Sequence, residues 1–184
     1  MKPTIVVLLL AASTLANRSF AEQTAPTNAS ASEAHASVSA TNHIKLTVVK
    51  VDSEETAGEN GRGTNAVDGD PDTFWHTQWQ DDSPEPPHEI IIQLSEPTMI
   101  KGFTYLPRQD DSENGTIKDY EFYISDDGKD FGEPVKKGEF ESGKGKKTVT
   151  FGPKKASFIK LRALSEINGE AWTSAAEIGI IPVD

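Results

Sequence analysis

The sequence contains no cysteine, and this absence removes several structural and chemical options. The chain can form no disulfide, so only its core or a bound metal can hold it together. Catalytic signatures are also missing: there is no Gly-x-Ser-x-Gly elbow, no glycine-rich phosphate loop and no His-x-x-x-His pair. We therefore expect a binding protein and no enzyme activity. A glycosidase-type carboxylate pair, or a small hydrolase using Glu59 and His76, remains the catalytic alternative.

Basic residues are scarce relative to acidic ones, with 18 Lys and Arg against 29 Asp and Glu and a net charge of -11. A chain this acidic repels nucleic acid phosphates and anionic membranes. We therefore expect neither as a partner. Residues 1–21 have the layout of a cleaved secretory signal peptide: Lys2, an apolar run at 4–16 and a small-x-small site at 19–21. The run is shorter than the roughly 20 residues of a membrane span. We expect a secreted or periplasmic protein.

Large apolar side chains are nearly absent from residues 22–43, which are rich in Ala, Ser and Thr, so this segment is predicted to be a flexible linker. Residues 44–184 have the length of one domain. No long helical period occurs there. Short β-branched and aromatic segments alternate with Gly, Pro, Asp and Asn instead, which predicts an all-β antiparallel sandwich with its function in the loops. The predicted strands are 45–51, 89–94, 100–106, 120–125, 147–151, 158–164 and 176–181.

Residues 65–79, "NAVDGDPDTFWHTQW", combine an acidic turn with two tryptophans. Asp68 and Asp70 resemble the start of an EF-hand loop, but Thr73 and Trp79 occupy the positions where that loop needs Gly and Glu. The turn could bind a hard cation with a further remote carboxylate, or it could be a solvated acidic turn. Glu177 opens the last apolar strand, where a buried acid needs a partner such as that cation.

The tryptophans and an arginine loop suggest a second site. Trp75 is predicted to pack in the core, and Trp79 to be exposed in a loop. Arg108 follows a strand, where its planar guanidinium can make bidentate contacts, with the amide of Asn114 nearby in an Asn-Gly turn. The alternative is a surface arginine paired with Asp110 or Asp111. Trp172 lies in a late loop, and Glu59 lies in a glycine-rich loop.

Four segments together resemble one known family: "AVDGDPDTFWHTQW", "PPHEIIIQL", "GFTYLPRQDDSENGTIKDYEFYISDDGKDFG" and "FIKLRALSEINGEAWTSAAEI". They are similar to the coagulation factor 5/8 type C, or discoidin, domain. More narrowly, they resemble the bacterial sugar-binding branch of this family, the family 32 carbohydrate-binding modules, and the N-terminal domain of galactose oxidase. The phospholipid-binding branch is basic and usually closed by a disulfide, which does not fit this chain.

The resemblance implies a jelly-roll β-sandwich with a structural calcium ion and a shallow site for terminal galactose-type sugars. An alternative is a calcium-stabilised domain for protein interaction or adhesion. The implied calcium ligands are the side chains of Asp68, Asp70, Thr73 and Glu177 and the carbonyl oxygens of Asn65 and Ala176. The implied sugar-binding residues are His76, Arg108, Asn114 and Trp172, assisted by Glu59 and Trp79.

Overall fold

The structure is a computed structural model that describes residues 43–183. The predicted signal peptide and residues 22–42 of the predicted linker lie outside the described residues. Regular structure within 43–183 is all β, apart from a 3-10 turn at Gly63–Val67. The strands are β1 Leu46–Val51, β2 Trp75–His76, β3 His88–Leu106, β4 Asp119–Ser125, β5 Lys136–Glu139, β6 Lys147–Ala163, β7 Ser174–Ala175 and β8 Glu177–Pro182.

Strands β3 and β6 form a long antiparallel pair, and the sequence pattern wrongly predicted each of them as two separate strands. The predicted strands 89–94 and 100–106 are one strand of 19 residues, and 147–151 and 158–164 belong to one strand of 17 residues. The polar residues between them remain extended, since Thr98 pairs with Ala156 and Met99 with Lys155. Register shifts at Gln93/Thr98 and Ile100/Gly102 bend the pair without ending it.

Because β3 and β6 bend, their two halves contribute to two layers. β1 pairs with the first half of β3, and β4 joins the second half of β6 to β5. β8 pairs with the second half of β3, from Ile100 to Leu106. The all-β sandwich predicted from the sequence is confirmed.

Aromatic side chains fill the space between the layers. Phe103 stacks on Phe122 with ring centroids 4.0 Å apart, and Tyr120 stacks on Phe140 at 4.2 Å. Trp75 is 1% exposed and belongs to the same core, as predicted. Burial of each such side chain stabilises the fold by about 1.5–3 kcal/mol, so the core can hold the loops in place without disulfides.

Both ends of the described chain lie beside the bend of β3. The backbone N–H of Ser95 donates to the carbonyl of Lys45 at 2.9 Å, and that of Val183 donates to the carbonyl of Met99 at 2.8 Å. The loops 52–62, 77–87, 107–118 and 164–173 gather at the opposite end of the sandwich. No helix among residues 43–183 is long and apolar enough to cross a membrane.

Candidate functional site

A two-residue β pair places the first site residues together. Trp75 pairs with Ala175 and His76 with Ser174, so Trp75 enters the core while His76 faces the loop end. The next residue extends the connection, because the backbone N–H of Thr77 donates to the carbonyl of Thr173 at 2.9 Å. This pairing brings the late loop against His76, and the Trp172 ring lies 6.3 Å from the imidazole.

The arginine loop is fixed to the same β pair through Gly115. The carbonyl of Gly115 accepts from the backbone N–H of Ser174 at 2.7 Å, and the Ser174 hydroxyl donates to the carbonyl of Asn114 at 2.9 Å. Gly115 has a φ of +81°, and a Cβ there would lie 2.7 Å from the Ser174 nitrogen. Only glycine combines this conformation with such close approach. The turn predicted at Asn114–Gly115 is therefore present and anchored.

Arg108 is buried and held from two sides. Its Nε and Nη2 groups donate to the two carboxylate oxygens of Asp110 at 2.7 and 2.5 Å, and its guanidinium carbon lies 4.1 Å from the centroid of the Phe74 ring. The hydrogen bonds from Arg108 lower the pKa of the Asp110 carboxyl below its usual range. The arginine has the predicted partner Asp110 but is not a surface residue, being 8% exposed.

This pairing leaves part of the guanidinium available. Asp110 accepts from Nε and from one N–H of Nη2, so both N–H groups of Nη1 and the second one of Nη2 remain for a ligand. The expected amide neighbour Asn114 lines the same cavity as Arg108.

His76 is a buried imidazole whose hydrogen bond defines its tautomer. Its Nδ1 lies 2.7 Å from the carbonyl oxygen of Thr77, so Nδ1 carries the proton and donates. Burial lowers the pKa of His76, and the hydrogen bond to Thr77 and the charge of Glu59 only partly offset it. The ring is therefore neutral near pH 7, and Nε2 carries a lone pair that can accept a hydrogen bond.

Glu55 organises two of the site loops. Its Oε1 accepts from the backbone N–H groups of Ala57 and Gly58 at 2.7 and 2.9 Å. Its Oε2 accepts from those of Trp79 and Gln80, both at 2.8 Å. Burial raises the pKa of this carboxyl, but the four backbone donors outweigh it and lower the pKa to about 2. The ionised carboxylate thus joins the glycine-rich loop to the loop that carries Trp79.

Trp79 and Glu59 meet where these loops touch. The indole Nε1 of Trp79 donates to Oε1 of Glu59 at 2.9 Å. The Trp79 ring packs on Gly58, where a Cβ would lie 2.6 Å from the ring. Trp79 is 38% exposed, which confirms its predicted loop position.

All six predicted sugar-site residues surround one open cavity of about 230 Å³. It is smaller than the roughly 300–1,000 Å³ of pockets for drug-sized ligands, which suits a ligand of about one ring. Trp172 forms one side, with its Nε1 donating to the Ser83 hydroxyl at 3.1 Å. The lining residues are Glu59, His76, Trp79, Arg108, Ser112, Asn114 and Trp172. The structure brings the predicted set together, and its ligand stays a prediction.

The predicted calcium ligands meet at a separate place, where the acidic turn touches the start of β8. Oε1 of Glu177 accepts from the backbone N–H of Gly69 at 2.7 Å, and Oδ2 of Asp68 accepts from the Thr73 hydroxyl at 2.7 Å. Burial raises the pKa of Glu177, and the nearby charges of Asp68 and Asp70 raise it further. Acidic oxygens crowded in this way suit a hard cation.

The two residues whose carbonyl oxygens are expected to bind calcium, Asn65 and Ala176, are also close to this turn. Asn65 lies in the 3-10 turn just before Asp68, and its amide donates to the carbonyls of Asn60 and Phe74 at 2.7 and 3.1 Å. Ala176 is buried immediately before Glu177. Within residues 43–183, no group of three or more acidic or histidine side chains is arranged as a complete metal site, so calcium remains a prediction.

Four residues that line or support the cavity were not predicted to do so from the sequence: Glu55, Phe74, Asp110 and Ser112. Phe74 could have been found, because residues 74 and 76 share one face of an extended segment. Asp110 was considered only as the partner of an arginine at the surface. Glu55 had no detectable signal, since its role depends on how two loops meet.

Comparison with known proteins agrees with this geometry. The family model of the F5/8 type C domain matches residues 29–178. The chain belongs to the F5/8 type C domain family. It is 39% identical over 137 residues to a sialidase of Micromonospora viridifaciens, and 38% identical over 133 residues to a galactose oxidase of Gibberella zeae. These matches cover 74% and 72% of this chain but only 21% and 19% of those enzymes, so the F5/8 type C chain spans about a fifth of their length.

Solved structures of the same fold include two sugar complexes. The module CpGH89CBM32-5 of Clostridium perfringens, in complex with GalNAc-β-1,3-galactose, is 33% identical with a TM-score of 0.68, over 74% of this chain and 95% of that one. The family 32 module of Clostridium perfringens NanJ, in complex with galactose, is 29% identical with a TM-score of 0.63, over 74% and 93%. The resemblance seen in the sequence, and the jelly-roll sandwich it implied, are confirmed.

Proposed function

We propose that residues 44–184 form a non-catalytic carbohydrate-binding module that holds one terminal galactose-type sugar, galactose or N-acetylgalactosamine. One observation carries this proposal: five of the predicted side chains, from four separate loops, and His76 of β2 meet around a single cavity of about 230 Å³. The similarity to modules solved with galactose and with GalNAc-β-1,3-galactose supports it.

The side chains of the cavity match the two kinds of surface on a pyranose ring. Trp172 offers an aromatic face for the patch of C–H bonds. The free N–H groups of Arg108 donate charge-assisted hydrogen bonds to ring hydroxyls, while Nε2 of His76 accepts from a hydroxyl such as the axial O4 of galactose. Asn114, Glu59 and Trp79 provide further polar and apolar contacts at the rim. Glucose, with an equatorial O4, would not place its hydroxyl between His76 and Arg108 in the same pose.

A binding role fits the family context better than catalysis. The chain matches about a fifth of the length of the sialidase and the galactose oxidase, whereas it covers more than nine-tenths of the two Clostridium perfringens modules solved with sugars. We infer that the domain brings an associated activity to glycans, or attaches its bearer to them, outside the cytoplasm. The predicted signal peptide accords with export.

A calcium ion would stabilise this arrangement. The side chains of Asp68, Asp70, Thr73 and Glu177, with the carbonyls of Asn65 and Ala176, would hold it, and the ion would neutralise carboxylates that now crowd one turn. Asn65 extends the effect to the cavity, because its amide holds the backbone of Asn60 and Phe74 beside the sugar-site loops. The ion would therefore act on the structure of the loops and not on the sugar.

Binding is tested by titrating methyl β-D-galactoside and methyl β-D-glucoside into the protein and following the heat. Arg108→Ala should abolish measurable binding, because a hydrogen bond from a charged donor is worth about 1.5–3 kcal/mol. Trp172→Ala should weaken both sugars, whereas His76→Ala should reduce the preference for galactose. Arg162→Ala and the exposed His43→Ala are matched controls away from the cavity and should bind like the parent.

Normal galactoside binding by all three folded cavity variants would place the site elsewhere. No binding by the parent to any glycan on an array, with or without calcium, would favour the alternative of a domain for protein interaction or adhesion.

A further inference from the structure

His88 is a fully buried histidine at the first position of β3, and it does not line the cavity. Each of its two ring nitrogens faces oxygen atoms. Nδ1 lies 2.7 Å from Oδ2 of Asp52, while Nε2 lies 2.8 Å from the carbonyl oxygen of Ala171 and 3.1 Å from that of Pro84. All three oxygens are acceptors, so both ring nitrogens must carry protons. With Asp52 as a carboxylate, this geometry makes His88 a buried imidazolium.

The two carbonyl groups bound by His88 belong to the segments that hold Trp172. Ala171 precedes Trp172 in the chain. Pro84 follows Ser83, whose hydroxyl accepts from the indole Nε1 of Trp172 at 3.1 Å. His88 thus fixes both the backbone before this tryptophan and the segment that its side chain contacts.

We propose that His88 is a positioning residue of the sugar site, a buried cation that holds the Ser83–Pro84 and Ala171–Trp172 segments together and so fixes the Trp172 ring at the cavity. Its effect on binding rests on the proposed function. Its effect on the position of Trp172 does not.

Loss of the proton from His88 would break this arrangement on one side or the other. With a single proton left on Nε2, the lone pair of Nδ1 would face the Asp52 carboxylate. With that proton on Nδ1, the lone pair of Nε2 would face the carbonyls of Ala171 and Pro84. In each arrangement a nitrogen lone pair faces an oxygen acceptor in the interior, which is unfavourable. The Ser83–Pro84 and Ala171–Trp172 segments should then separate or admit water.

The charges around His88 favour the protonated ring. Among the described residues, Asp52 is the charged group that faces it, and the other Asp52 oxygen accepts from the backbone N–H of Glu89 at 2.7 Å. The Glu89 side chain pairs instead with Lys50 and Lys160. Burial lowers the pKa of His88, but the hydrogen bonds to Asp52 and Ala171 outweigh it and raise the pKa above its usual value of 6.5.

The direction of the pH effect follows. A raised pKa in the folded state means that the contribution of His88 is complete at low pH and is lost as the pH rises through that pKa. His76 has the opposite shift, so any effect of its protonation falls at pH values below 6.5. The two histidines therefore act on opposite sides of pH 6.5 and can be separated in one profile.

The first measurement uses the full chain without sugar. The indole Nε1–H resonances of the three tryptophans are recorded by ¹H–¹⁵N NMR from pH 6 to 9.5, with Trp172→Phe for assignment. The Trp172 resonance should titrate together with the His88 ring. Asp52→Asn, which removes the facing charge, should move this transition to lower pH, and His43→Gln should leave it unchanged.

The second measurement is the affinity for methyl β-D-galactoside over the same pH range. Loss of an ordered aromatic contact should weaken binding about three- to tenfold as His88 deprotonates. Asp52→Asn should shift the loss to lower pH in parallel with the resonance. If the resonance titrates as described but no sugar binds at any pH, the positioning role stands and the proposed function fails.

Two results would overturn the inference. One is a Trp172 resonance that stays constant while the His88 ring titrates. The other is a transition that Asp52→Asn leaves at the same pH. Should Asp52→Asn not fold, the profile of the parent protein and that of His88→Gln, in which no transition should remain, decide the matter.

Discussion

Replacement of Glu55 by Gln isolates the contribution of one buried carboxylate. Oε1 can still be an amide oxygen and accept from Ala57 and Gly58, but the amide NH₂ then faces the backbone N–H groups of Trp79 and Gln80. Two charge-assisted hydrogen bonds are lost, each worth about 1.5–3 kcal/mol. We expect a loss of about 3 kcal/mol in the free energy of unfolding, large against the roughly 5–15 kcal/mol of a typical domain.

The pH dependence of this loss gives a sharper test than its size. The pKa of Glu55 is lowered to about 2 in the folded protein, from 4.5. Its contribution is therefore complete above pH 5 and is lost as the pH falls from about 5 to 2. The difference in stability between the parent and Glu55→Gln should be greatest near pH 7 and shrink steadily below pH 5.

Urea unfolding at several pH values, followed by tryptophan fluorescence, measures this difference. Glu96→Gln, at an exposed position far from the cavity, is the matched control and should behave like the parent throughout. A difference below 1 kcal/mol at pH 7, or one that does not change between pH 7 and pH 3, would refute the account of Glu55 as an ionised carboxylate that joins two loops.

Three further outcomes are expected. Excess chelator should lower the melting temperature of the parent protein, and added calcium should restore it. The melting temperature of Glu177→Gln should respond to neither. An unchanged melting temperature of the parent in chelator would contradict the calcium site. Gly58→Ala should displace the Trp79 ring and weaken galactoside binding in isothermal titration, whereas Gly145→Ala, where a Cβ meets open space, should not. Arg108→Lys should bind galactosides nearly as poorly as Arg108→Ala, because an ammonium cannot both pair with Asp110 in bidentate fashion and present a planar pair of donors to the sugar. Parental affinity in the lysine variant would show that the planar guanidinium is not needed.

The sequence was most informative about features that depend on residue type and on the periodicity of neighbouring residues. The alternation of apolar residues predicted the β-sandwich, and Trp75 lies in the core as expected. The resemblance to a family then indicated which loops meet at the candidate sugar site. All six predicted sugar-site residues line one cavity. Strand ends were less predictable, because a bulge and a polar stretch such as 95–99 can bend a strand without ending it.

Side-chain partnerships within the loops could not be predicted from the sequence. Asp110 pairs with Arg108 across two positions, yet only the folded loop shows that the pair is buried on Phe74. Glu55 and His88 have no apolar or polar pattern that distinguishes them from surface residues. Apart from Asp52, their partners are backbone groups brought together by tertiary structure, and backbone groups are the same at every position of a sequence.

The described chain begins and ends beside residues 95–99, at the end of the sandwich opposite the cavity. A neighbouring domain, a tag or a solid support joined at residue 44 or 183 would therefore leave the cavity open to a glycan. Several copies linked in this way could engage a surface rich in sugars at the same time, and weak single sites would together give strong attachment. Because the chain ends and the cavity lie at opposite ends of the sandwich, the domain is suitable for display in tandem without any change to the loops around the cavity.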